Sequence, residues 1–218
     1  MSVDNIVLKS KSDTLIVFSL GWYGPLVGYL DNLINPLSLD FNVAALQQNF
    51  KGNEYVDFLA YKFAEFDEQA RSETNPSKVI YMGHSMGAAI AARAHTKYNT
   101  SIDGFYGINA YPKYSVTKKG VFEKTIGLFD SINFGPLLTL DEVDAPSEFA
   151  IATNDEVLKT FDEEVRAELM NELIQRGSIV LFPDRTHCFN EQHNDYAPFN
   201  KVNSNDLVYA VKNFINKI

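Results

Sequence analysis

The 218-residue chain has a single cysteine, Cys188. No intrachain disulfide can form, and neither can a cysteine-rich zinc site. No apolar run approaches the ~18–20 residues that a membrane-spanning helix needs. Basic runs are also missing: 19 Lys and Arg stand against 28 Asp and Glu, for a formal net charge of -9. An acidic chain with no basic stripe is a poor match for nucleic acid or an anionic membrane. The opening MSVDNIVLKSKSD carries an early Asp and no long apolar core, so no secretory signal is expected. Internal repeats, low-complexity stretches and Pro/Gly-rich linkers are absent too. These absences suit a cytoplasmic protein. What remains is 45% hydrophobic and 22% charged, the balance of one ordinary globular domain over residues 1–218.

Apolar runs of strand length alternate with helical patterns. Strands are expected at Ile6–Leu8, Thr14–Leu20, Asn42–Leu46, Lys78–Met82, Ile102–Ile108, Glu148–Thr153 and Ser178–Phe182. Helices are expected at Pro25–Leu33, with Pro25 in the first turn, and at Glu54–Glu68, Ser85–Lys97, Asp162–Arg176 and Asn205–Ile218. This alternation argues for an α/β fold with a mostly parallel sheet of about six or seven strands and helices on both faces. Ligands in such folds bind beyond the carboxyl ends of the strands. The pattern breaks at Ala110–Ala145, which is too long for an ordinary connection. Its aromatic and aliphatic residues read as a small cap insertion.

The most informative stretch is VIYMGHSMGAAIAARAH, residues 79–95. A strand turning directly into a helix forces a strained conformation on the residue at the corner. Small neighbours, here Gly83 and Gly87, make room for it. Ser85 would then project its hydroxyl above the sheet, beside the amides and positive dipole end of the new helix. An oxyanion formed there would be stabilised. The bland alternative is a Gly-rich turn with Ser85 as helix N-cap. GHSMG between strand and helix resembles the nucleophile elbow of the α/β-hydrolase superfamily. The similarity extends from Thr14 to the C-terminus at the level of motif order. It implies an α/β-hydrolase fold and a serine nucleophile.

A serine hydroxyl needs a base. His84 lies within the elbow and reads as local packing. His95 is about three turns along the following helix, too far to reach. His187 follows the last strand in PDRTHCF, where the superfamily places its base, and THCF resembles the usual Gly-His-Phe. His193 is the reserve. The resemblance puts the acid after the penultimate strand. There ATNDEVL resembles Gly-x-x-Asp-x-x-Val and selects Asp155, with Glu156 as its neighbour. The alternative for Asp155 is a helix-start cap. Asp184 stands too near His187 to orient it and reads as a loop residue. For the oxyanion hole the resemblance implies the Met86 amide and one from the loop after Thr14–Leu20. In that loop Trp22 is the candidate, next to Gly21. Leu20 replaces the family's usual histidine.

These residues imply acyl transfer on a carboxylic ester or thioester without metal or organic cofactor. Gly21, Tyr23 and Tyr111 are candidate substrate contacts. Trp22, Tyr23, Leu26, Tyr29 and the cap suggest an apolar pocket for a small acyl or aryl substrate. Cys188 reads as a small core residue. LGWYG is faintly similar to a group of biotin-pathway methyl esterases, from which the elbow departs by having His84 where Trp is usual. The alternatives are a ligand-binding protein on the same fold, or an acyltransferase or lyase using the same residues.

Overall fold

In the computed structural model, residues 5–20, 29–48, 56–111, 113–114, 138–155, 157–187 and 205–218 are described. The chain enters through β1 (Asn5–Leu8) and β2 (Thr14–Ser19). Every residue of β2, TLIVFS, is buried, as a strand covered on both faces requires. A wide π turn at Leu30–Ile34 runs into a short α1 (Asn35–Ser38). Of the helix expected at Pro25–Leu33, the described residues from Tyr29 onward are helical, and the helical turns continue past Leu33 to Ser38, with Pro36 at the start of α1. Proline has no N–H to continue a ladder, so a helix readily restarts there. Residues 21–28 lie outside the described residues.

β3 (Asn42–Leu46) and α2 (Val56–Thr74) follow. α2 runs past the expected Glu68 because its buried stripe continues through Asp67 and Ala70. Asp67 is buried but paired: Arg71 Nε donates to it at 2.8 Å and the Tyr81 hydroxyl at 2.7 Å. A buried carboxylate needs such partners, and a hydrophobic count passes over it. Next come β4 (Lys78–His84), α3 (Met86–Tyr98) and β5 (Gly104–Ile108). The expected insertion at Ala110–Ala145 falls mostly outside the described residues. Its two ends pair antiparallel as β6 (Lys113–Tyr114) and β7 (Leu138–Thr139). Then follow β8 (Ser147–Ala152), a 3-10 turn at Leu158–Thr160, α4 (Glu163–Arg176), β9 (Ser178–Phe182) and α5 (Asn205–Lys217).

Seven strands form one sheet in the order β1-β3-β2-β4-β5-β8-β9. Only β1 runs antiparallel; the others pair in parallel. The chain steps from β2 outward to β3, then returns across β2 to β4. Connections therefore leave β2 and β4 in opposite directions, which opens a crevice beyond their carboxyl ends.

Side chains alternate between two cores. Leu15, Val17, Val79 and Tyr81 face α2 and α3. Ile16, Phe18, Ile80 and Met82 face the π turn, α1 and α5. On the first face, Phe63 meets Tyr81 edge-on with ring centroids 5.0 Å apart, a favoured aromatic geometry. On the second, α5 buries Leu207, Val208, Val211, Phe214 and Ile215. That is one helical stripe, and each such side chain contributes roughly 1.5–3 kcal/mol when fully buried.

Candidate active site

Three strand ends supply the site. Ser85 sits between β4 and α3 with φ 52° and ψ -125°, a conformation that costs about 1–3 kcal/mol in a non-glycine residue. The surroundings hold it there. Its N–H donates to the Ile108 carbonyl at the end of β5 at 2.8 Å, and its own carbonyl accepts from the Ala88 N–H at 3.0 Å. Gly83 and Gly87 are demanded by space. A Cβ on Gly83 would stand 2.3 Å from the Ala88 Cα, and one on Gly87 2.2 Å from the Ser19 carbonyl oxygen.

The Ser85 hydroxyl makes no capping bond to the helix it precedes. It lies 2.8 Å from His187 Nε2. His187 Nδ1 lies 2.7 Å from Asp155 Oδ2. A carboxylate can only accept, so Nδ1 carries the proton and Nε2 is left to receive one from Ser85. The structure thus brings Ser85, His187 and Asp155 into one hydrogen-bonded line.

Asp155 is fully buried. Its Oδ1 accepts from the amides of Val157 at 2.7 Å and Leu158 at 3.2 Å, so it also caps the 3-10 turn. The two oxygens divide these contacts, Oδ2 facing His187 and Oδ1 facing the turn. Burial pushes its pKa up. The charge and hydrogen bond of His187, the Tyr111 hydroxyl and the Leu158 amide outweigh that and leave it below the usual carboxylate value.

His187 is held through its backbone. Its carbonyl accepts from Asn109 Nδ2 at 2.7 Å and from His84 Nε2 at 2.8 Å. Because a carbonyl cannot donate, His84 carries its proton on Nε2, and the Tyr29 hydroxyl donates to Nδ1 at 2.7 Å. Burial above all, and then the neighbouring His187, pushes the His84 pKa down to about 3. His84 does more than the local packing expected of it. Asn109, with φ 44°, accepts from the Ala152 N–H at 2.8 Å and so ties the β8 end to the His187 loop. Nothing in the sequence singled it out, although a buried-strand run ending in a lone Asn, which tolerates positive φ, is a usable signal. The loops after β8 and β9 are zipped together as well, the Asn154 N–H donating to the Arg185 carbonyl at 3.0 Å.

Met86 is the first residue of α3 and is buried. Its N–H is among those a helix start leaves without an intrahelical acceptor. Tyr111 is not on an open wall. It is fully buried, and its hydroxyl donates to Asp155 Oδ2 at 2.5 Å. Tyr29, expected in a pocket lining, is likewise buried behind His84. His95 lies away from the site, hydrogen-bonded to the Thr100 carbonyl and to Asp144. Asp184 occupies the turn after β9 with φ 59°. Gly21, Trp22, Tyr23, Leu26, Glu156, Cys188 and His193 lie outside the described residues.

Solved structures share this fold. An esterase from a marine microorganism superimposes with a TM-score of 0.63 at 15% identity, covering 96% of this chain and 98% of that one. MenH from S. aureus gives 0.67 at 11% identity, with 99% and 98% covered. A thermophilic esterase from the planctomycete Thermogutta terrifontis, Est2 with butyrate bound, gives 0.63 at 17% identity, with 100% and 91% covered. No curated protein matches the sequence. The family model for the dienelactone hydrolase family matches residues 46–218. That span is well over half of the chain and contains Ser85, Asp155 and His187, and the chain belongs to the dienelactone hydrolase family within the α/β-hydrolase superfamily.

Proposed function

We propose that this protein is a serine hydrolase that cleaves a carboxylic ester or thioester through an acyl-enzyme. The observation that carries the reading is the unbroken line from the Ser85 hydroxyl through His187 to Asp155, at 2.8 and 2.7 Å. His187 Nε2 takes the hydroxyl proton as Ser85 attacks the carbonyl carbon. Asp155 keeps the imidazole in the required tautomer and stabilises the imidazolium that forms. The developing oxyanion lies at the start of α3, where the Met86 amide donates to it, with the Trp22 amide as the second donor. His187 then hands its proton to the leaving alcohol or thiol. Water enters, the same groups act in reverse order, and the acid is released. Gly21 and Tyr23, which follow β2 in sequence, are the substrate contacts of this proposal. The acidic chain and its single cysteine fit action on a small molecule in the cytoplasm.

Labelling with a fluorophosphonate tests the activated serine. Wild type should react covalently, whereas Ser85→Ala and His187→Ala should not. On p-nitrophenyl esters both variants should lose about 10⁴-fold or more in kcat, with Asp155→Asn severe but smaller. Folded wild type that fails to label, or Ser85→Ala that keeps wild-type esterase activity, would sink the reading.

A further inference from the structure

Tyr111 lies just beyond β5 and is fully buried. Its hydroxyl donates to Asp155 Oδ2 at 2.5 Å, the same oxygen that receives His187 Nδ1–H at 2.7 Å. The other oxygen takes the amides of Val157 and Leu158. An ionised carboxylate offers about four lone-pair directions, so every one is engaged. The Tyr111 ring also lies alongside the imidazole, with centroids 6.5 Å apart and planes 28° from parallel. One side chain therefore fixes the rotation of the carboxylate and bears on the base that the carboxylate orients.

We propose that Tyr111 is a positioning residue that holds down the basicity of His187 by sharing Asp155 Oδ2 with it. Two donors on one oxygen compete for its charge. The tyrosine hydroxyl draws off part of the negative charge that would otherwise stabilise the imidazolium. His187 thus stays neutral, and able to accept a proton, to a lower pH than an unshared carboxylate would allow. The inference rests on the reading of His187 as the base for Ser85, but the coupling itself is measurable without turnover. Among the described residues, the titratable groups facing His187 are Asp155 beyond β8, Tyr111 beyond β5, and His84 and Ser85 at the end of β4. His84, with its ring 5.3 Å away, stays uncharged through the range to be measured. On the same loop, Arg185 pairs with Asp206 of α5 at 3.3 Å.

The test is an NMR titration of the His187 imidazole in wild type and Tyr111→Phe, the resonance being assigned by its loss in His187→Gln. Removing the hydroxyl should raise the midpoint by about 0.5–1 pH unit. 3-Fluorotyrosine placed at position 111 is a stronger donor of the same shape and should lower it. This second variant keeps the ring and its hydroxyl and so covers the case in which Tyr111→Phe folds poorly. The acid limb of the fluorophosphonate labelling rate should move with the midpoint. A merely structural tyrosine would lower rates at every pH and leave the midpoint fixed. An unmoved midpoint in both variants overturns the proposal. A moved midpoint in a protein that never labels would support it and count against the hydrolase reading alone.

Discussion

His84 carries a stability contribution that changes with pH. In the folded chain its pKa lies near 3, against an ordinary 6.5. Below about pH 6.5 the unfolded chain binds a proton that the native state refuses, so stability falls as pH drops from there toward 3 and is whole above it. Each pH unit inside that window is worth about 1.4 kcal/mol. Urea denaturation at pH 7.5 and pH 5 should therefore show wild type losing about 2 kcal/mol more than His84→Gln, which keeps an amide donor but cannot titrate. Equal losses would mean that His84 is protonated in the fold. Asp155 acts in the same direction at lower pH. Its folded pKa is depressed, so its contribution is present above the unfolded carboxylate value and lost as pH falls through the folded one. Residues of this kind differ in how much of their role a sequence discloses. The place of Asp155 beside His187 was legible because its neighbours in ATNDEVL form a recognisable pattern. Tyr111 and Tyr29 were legible only as aromatic residues near the site. An aromatic in an apolar stretch looks the same whether it lines a pocket or stands behind a histidine, and only the partner of its hydroxyl decides.

At the scale of elements, the close approach of α3 to β2 is the feature most open to a single change. Gly87 has Ser19 and Leu20 carbonyl oxygens where a Cβ would go, at 2.2 and 2.6 Å. Helix propensity alone says that Gly87→Ala should stabilise, by up to about 1 kcal/mol. Contact with backbone that cannot swing aside says the opposite, at a cost of about 3 kcal/mol or more. Chemical denaturation decides by sign, and a stabilised Gly87→Ala would show that α3 can move away from the sheet freely. Element positions were legible where the pattern was pure. β3 and β9 fall at Asn42–Leu46 and Ser178–Phe182 as read, and α3 starts one residue after the corner serine. They slipped where a polar or small residue does structural work. β4 extends through Gly83 and His84, which do not look like strand. α2 continues over a buried Asp67. The first helical turns run on past the expected Leu33 to Ser38.

For the whole molecule, the strand–helix alternation was enough to give the layers and a sheet at the upper end of the expected size. Strand order was not derivable, because it depends on which crossovers pack, and many orders bury the same residues. Ser85 and His187 are 102 residues apart in sequence, and Asp155 and His187 are 32 apart. They meet only at the tips of β4, β8 and β9. Closing loops of that span costs entropy that must be offset by the sheet itself. Refolding from urea should therefore restore far-UV circular dichroism before fluorophosphonate reactivity. Reactivity first would show that the site assembles without its full scaffold, and simultaneous recovery would show that sheet and site form in one cooperative step.

That separation also bears on synthesis. A ribosome that has made the chain as far as β5 has already made the corner serine, its glycines and the amide of Met86. It has not yet made Asp155, and His187 comes later still. On the proposed reading, a nascent or truncated chain ending before residue 187 lacks the base and should not react with a fluorophosphonate, however well its first five strands pair. On that reading, reactivity would report that the β9 edge of the sheet has joined the strands made before it.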